Sequence, residues 1–214
     1  METISVARRI EELRIKLGFS NCFSVDRIGR SGGLAVFWKR SAECSIVGYS
    51  QNHVDLVFTE NNIQKWRLSC FYGFLERARR RQSWELICNL AQLSNLPWCI
   101  VGDFNDLLYA TDKKGIHPHP EYLMRGFQNA IDSSSLAELD LNGGSYTWEK
   151  SRGTREWVHE RLDRAFANMG WWTLFPLCKL KVITTTVSDH DAIFLELLSL
   201  EVPKRVFRFK FENT

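Results

Sequence analysis

The run 97–106, Pro-Trp-Cys-Ile-Val-Gly-Asp-Phe-Asn-Asp, constrains this chain more than any other stretch. Its first half is short, apolar and rich in aromatic and β-branched residues, the pattern of a buried strand. It stops at Gly102 and delivers a carboxylate, an amide and a second carboxylate. The end of a buried strand in an α/β sheet is where chemistry is usually placed. Asp103 and Asn105 lie two apart, so persisting strand geometry points them to one side. A carboxylate beside an amide can orient a water molecule. The same residues also suit a strand that ends in an ordinary Asx-type turn. On this segment alone the two readings stand level.

The rest of the chain surrounds that run with α/β material. An amphipathic helix is expected over residues 5–17, with Val6, Ile10, Leu13 and Leu17 on one face and Gly18 as its cap. Strands are expected over 21–25, 34–38, 45–49, 54–59 and 66–72, spaced as an antiparallel meander, with a turn-rich link at 29–33. A helix at 77–93 carries Trp84, Ile87, Leu90 and Leu93 as its stripe. Residues 106–119 form a long polar loop, either a recognition loop or an Ω-loop. Pro120 suits the first turn of a helix over 120–133. Further strands are expected at 145–148, 157–163, 180–187 and 192–197, with a short helix at 168–173. Residues 206–211 alternate Phe with Arg208 and Lys210, an edge strand or a tail. The expected domain is 1–200, with 201–214 as tail or edge strand. Many strands and few helices suit two face-to-face sheets with helices outside.

A length of 214 residues fits one domain, and a net charge of +3 permits a nucleic-acid partner without requiring one. No apolar run approaches a membrane span, and no signal-peptide pattern or Asn-x-Ser/Thr acceptor argues for secretion. An intracellular monomer is expected, the nucleus being one compatible compartment. The six cysteines are scattered, as buried free thiols are, which argues against zinc or disulfides. His117 and His119 flank Pro118, and no second ligand pair supports chelation, so a loop is the better reading.

Four polar groups stand at the ends of apolar runs: Ser188-Asp189-His190, Arg161-Leu162-Asp163-Arg164, Tyr72 before Gly73, and Glu2 before the first helix. Singly, each has a plain structural explanation: a turn, a surface ion pair, a packed ring, a charge at a helix dipole. Together they equip a site for phosphoester hydrolysis. A histidine beside a carboxylate is oriented and either made basic or stabilised as a cation. An Asp/Asn pair can hold the attacking water. A glutamate can bind Mg²⁺, which neutralises charge on phosphate and leaving oxygen.

With those motifs in order, the chain resembles the endonuclease/exonuclease/phosphatase superfamily, which includes abasic-site endonucleases, sphingomyelinases and inositol-phosphate phosphatases. More closely it resembles the endonuclease domain of plant LINE-type, non-LTR retrotransposons. Phe71-Tyr72-Gly73-Phe74, Asp112-Lys113-Lys114-Gly115, Tyr146-Thr147-Trp148 and Phe209-Lys210-Phe211-Glu212-Asn213 fit that subgroup. The resemblance implies a four-layered α/β/β/α sandwich and phosphodiester hydrolysis of DNA with Mg²⁺, or Mn²⁺. It implies that Asp103 and Asn105 position water and serve the metal site. His190 is then general base or phosphate stabiliser, with Asp163 as its partner. Tyr72 contacts the phosphate, and Asp189 and Glu2 belong to the metal site. Arg79, Arg80 and Arg81 are candidate DNA-phosphate contacts; a solvated helix start explains them equally well. The chain departs from the family in carrying Ile4 where the motif has lysine, and in starting one residue before Glu2. It is therefore expected to lack the family's first strand and its Asn, and to be an N-terminally clipped copy. The alternatives are a catalytically impaired remnant that keeps the fold, or a small-molecule or lipid phosphatase of the same superfamily.

Overall fold

The apolar runs of the sequence become the strands of a layered α/β structure. The computed structural model describes residues 2–3, 7–26, 33–39, 43–59 and 64–197. The link 29–32, Val6 and the alternating segment 206–211 lie outside them, as does the proposed tail 201–214. Strand β1 (Glu2–Thr3) precedes helix α1 (Ala7–Leu17), β2 (Asn21–Val25), β3 (Gly33–Trp38), β4 (Cys44–Ser50), β5 (His53–Phe58) and β6 (Trp66–Tyr72). A 3-10 turn at Arg77–Arg79 runs into α2 (Arg80–Gln92), followed by β7 (Trp98–Asp103), β8 (Lys113–Lys114) and α3 (Glu121–Ser133). Short strands β9 (Ala137–Glu138), β10 (Leu141–Asn142), β11 (Trp148–Lys150) and β12 (Val158–Glu160) come next. The last elements are β13 (Asp163–Ala167), α4 (Met169–Leu174), β14 (Lys179–Ile183) and β15 (Ala192–Glu196).

Six strands form the central sheet in the order β4-β5-β6-β7-β13-β9. The β4-β5-β6 part is the expected antiparallel meander. β6 and β7 run parallel, which requires a crossover, and α2 supplies it. Alternation then sorts the side chains of each strand between two faces. Phe71, Trp98, Ile100 and Phe166 pack on one face with Ile87 and Leu90 of α2 and Phe127 and Ile131 of α3. On the other face Val54, Leu56 and Cys70 meet Val25 and Leu34 of the β1-β3-β2 sheet. Cys99, Val101, Ala165 and Ala167 meet Leu180 of the β10-β14-β15 sheet, capped by Trp171 of α4. A helical layer, a six-stranded sheet and a second layer of strands are thus stacked in the expected order. α1 packs against β2. Among the described residues no helix is long and apolar enough to cross a membrane.

Several elements differ from expectation. The expected strand 157–163 is two strands, β12 and the start of β13, and β13 is a fully buried central strand. Its opening charges concealed it: Arg164 is fully buried, held by Glu138 and Asp112. The expected strand 145–148 begins only at Trp148, and that at 180–187 ends at Ile183. The residues between Ile183 and Ala192 form the loop that carries Asp189 and His190. The expected polar loop 106–119 is packed and carries a 3-10 turn and the short strand β8, which pairs with β12. Leu107 and Leu108 are buried, and the Asp112 carboxylate accepts the amides of Leu108 and Tyr109.

Candidate active site

Three neighbouring strands end at one level. In the register of the central sheet, Tyr72 of β6 lies beside Asp103 of β7, and Asp103 lies beside Asp163 of β13. Because Asp103 follows Cys99 and Val101 at two-residue spacing, it continues their face past the edge of the core. The loop 184–191 closes the other side and brings His190 over the strand ends. Asp103, Asp163 and His190 share a cleft of about 520 Å³ with Tyr72, Asp189 and Asp191.

Asn105 reaches Asp103 by a turn. The strand stops at Asp103, and Asn105 has a left-handed φ of 53°. That region is tolerated by Asn because its side chain can bond locally. The Asn105 amide donates to Asp103 Oδ1 (2.8 Å), and its Nδ2 donates to Asp103 Oδ2 (3.0 Å) and to the Gly73 carbonyl (3.0 Å). The Asx turn and the functional pair are therefore one arrangement. Two glycines make room for it. A Cβ on Gly73 would lie 2.1 Å from the Phe104 carbonyl oxygen, and one on Gly102, where φ is 151°, would lie 2.0 Å from the Phe71 carbonyl oxygen.

His190 Nδ1 is 2.9 Å from Asp163 Oδ2, and its Nε2 is 3.9 Å from Asp103 Oδ2. Burial disfavours the charged ring. The hydrogen bond and charge of Asp163, joined by the charges of Asp103 and Asp189, outweigh it and push His190 up to about 9. The ring is then an imidazolium at neutral pH, with Nδ1–H donating to Asp163. Trp148 Nε1 donates to Asp189 Oδ2 (3.0 Å), and the Asp191 amide donates to the Thr147 carbonyl (2.7 Å). The Thr147 hydroxyl accepts the amides of Leu162 and Asp163. Trp148, Thr147 and Asp191 were missed as site residues. The signal was available, since Tyr146-Thr147-Trp148 stood out as a motif without a role.

The other candidates are distributed unevenly. The backbone of Glu2 pairs with Leu34 in the β1-β3-β2 sheet; its side chain lies outside the described residues. Arg79 stacks on the Phe74 ring, with its guanidinium carbon 3.8 Å from the centroid. Both residues line a groove that shares Tyr72 with the cleft. Arg80 is buried, ion-paired with Asp106 and donating to the Leu75 carbonyl, so it faces the interior and not a nucleic-acid backbone. Arg81 is exposed and pairs with Glu85. His119 and His117 belong to the 106–119 segment, and the His119 ring is turned to Asp106, with Nε2 3.2 Å from Oδ1.

A model of the endonuclease/exonuclease/phosphatase family matches residues 3–190. The chain belongs to that family. Among solved structures, the endonuclease domain of TRAS1, a telomere-specific non-LTR retrotransposon, superposes with a TM-score of 0.64 at 12% identity, covering 89% of this chain and 91% of that one. Truncated TDP2 from Caenorhabditis elegans superposes with a TM-score of 0.55 at 14% identity, covering 88% and 80%. A mannosyl-6-phosphatase from Bacteroides thetaiotaomicron does so at 0.53 and 13% identity, covering 89% and 81%. At these identities the superpositions establish the shared fold. A comparison with curated protein sequences finds no match.

The carboxylates of the site suit a hard divalent ion in their chemistry. Asp103, Asp163, Asp189 and Asp191 line the cleft with His190 as the one cationic group among its described residues. That balance would repel a phosphate diester unless a further cation were present. Among the described residues no three His, Cys, Asp or Glu are grouped to hold an ion by themselves.

Proposed function

We propose that this protein is a divalent-metal-dependent phosphodiesterase of endonuclease type that cleaves DNA, derived from a non-LTR retroelement. The observation that carries the reading is the line Asp163–His190–Asp103 across an acidic cleft at the ends of three adjacent strands. In this reading the His190 imidazolium, fixed by Asp163, donates from Nε2 to a non-bridging phosphate oxygen. The bond from Nδ1 to Asp163 fixes the ring with Nε2 on the cleft side, which suits that role. Asp103, its carboxylate clamped by Asn105, accepts a proton from the water that attacks phosphorus in line. The new P–O bond forms as the bond to the leaving oxygen breaks. The Tyr72 hydroxyl contacts a second phosphate oxygen. Asp189, oriented by Trp148, and Glu2 would hold Mg²⁺ or Mn²⁺, which supplies charge neutralisation to the phosphate and its leaving oxygen.

A polymeric substrate is supported by the groove bearing Phe74 and Arg79, which has Tyr72 as a wall in common with the cleft. A phosphomonoester would leave that groove idle, whereas a flanking nucleotide can occupy it. The TRAS1 domain adds weight to DNA, and the mannosyl-6-phosphatase marks the competing class. Supercoiled plasmid, inositol phosphates and p-nitrophenyl phosphate, offered with Mg²⁺ under one set of conditions, separate the two. Nicking with little phosphate release supports the endonuclease. Rapid phosphate release with intact plasmid assigns a phosphatase.

A further inference from the structure

We infer that Asp106 is a positioning residue that holds Asn105, and through it Asp103, in working geometry. The inference rests on the phosphodiesterase reading of the cleft. Asp106 directly follows Asn105, whose left-handed backbone must be held by its surroundings. Its side chain is 2% exposed and turns away from the cleft into a knot of donors. Oδ2 accepts Trp84 Nε1 at 3.1 Å. Oδ1 accepts the Leu107 amide at 3.0 Å and lies 3.2 Å from His119 Nε2 and 3.5 Å from an Arg80 guanidinium nitrogen. Arg80 and Trp84 sit one turn apart on α2, so they present one face. His119 arrives from the approach to α3.

The same turn of α2 fixes the other wall of the turn that bears Asn105. Arg80 donates to the Leu75 carbonyl, and the Ser83 hydroxyl accepts the Phe74 amide. Asn105 bridges the two walls through its bond to the Gly73 carbonyl. Asp106 is thus the point where the helix grips the Asp103-Phe104-Asn105 turn. A buried charge cluster of this kind contributes little net stability, because desolvation offsets attraction. What it supplies is a fixed geometry.

The test uses the full chain with Asp106→Asn, which keeps the shape and loses the charge. The second variant, Asp106→Asn/Arg80→Met, also removes the cation left unpaired. Turnover of plasmid DNA, Tm and hydrogen exchange of the Asn105 amide are measured for each. The inference predicts a fall in kcat on the order of 10²-fold in both variants, with KM within about twofold of wild type. The double variant regains Tm without regaining kcat, and the Asn105 amide exchanges at least about tenfold faster in both. A kcat within about threefold of wild type in Asp106→Asn, or recovery of kcat together with Tm, overturns the inference. If wild type itself hydrolyses no phosphodiester, the reading of the cleft fails and the exchange arm alone decides Asp106. Faster exchange then supports the positioning role, and unchanged exchange refutes it.

Discussion

Asn105 combines two demands in one side chain: a left-handed backbone and an amide aimed at Asp103. They can be separated. Asn105→Gly keeps the conformation at no steric cost and deletes the amide. It is expected to lower folding stability by about 1–3 kcal/mol, the cost of leaving buried acceptors without their donor, while lowering phosphodiester hydrolysis by roughly 10²-fold or more. Chemical denaturation and a nicking assay read the two effects. The Asp163–His190 pair gives a pH signature. His190 is raised from 6.5 to about 9 in the folded, metal-free protein. Between those values the folded state binds the proton more tightly than the unfolded chain. The contribution is therefore fully present below about pH 6.5 and lost as pH rises through about 9. In EDTA, Asp163→Asn should flatten the fall in stability across that window; a profile as steep as wild type would contradict the assignment. At this scale the sequence was informative about chemistry and silent about geometry. Asp103, Asn105, Asp163 and His190 are legible as polar groups ending apolar runs. That Arg80 turns inward was not, because its ion-pair partner Asp106 is distant in sequence.

The turn containing Asp103 works because two strands approach closer than side chains allow. Gly73→Ala would push a methyl into the Phe104 carbonyl, and both partners are backbone. We expect a loss of about 1–3 kcal/mol or more, seen as a lower urea midpoint, and a displaced Asn105 with lost hydrolysis. A fully stable Gly73→Ala variant would show that the two loops are not packed as described. Elements with clean periodicity were legible, among them the meander, the crossover helix α2 and the strand β7. Strand β13 was not, since its first two residues are Asp163 and Arg164 and no local pattern announces a buried arginine. Its burial is affordable only because Glu138 and Asp112 reach it from 26 and 52 residues away in sequence. The two-residue strands β8, β9 and β10 are set by pairing partners alone, and propensity cannot find them.

For the whole molecule, a net charge of +3 sets only a weak general attraction for polyanions. In the proposed reading, recognition comes from the groove beside Tyr72. Arg79→Ala should raise KM for plasmid by several-fold and leave kcat nearly unchanged, the pattern of lost uniform binding. Steady-state kinetics at fixed salt test this, since phosphate contacts weaken as salt rises. An equal fall in kcat would place Arg79 in the chemistry and not in binding. The layered architecture follows from alternation and from the shared family, whereas substrate class turns on what the cleft and groove accept. The most direct measurement is nicking of supercoiled plasmid with Mg²⁺ by wild type and by Asp103→Ala/His190→Ala. Metal-dependent nicking that the double variant loses is the predicted result; equal background nicking by both proteins would contradict the assignment of this cleft as a phosphodiesterase site.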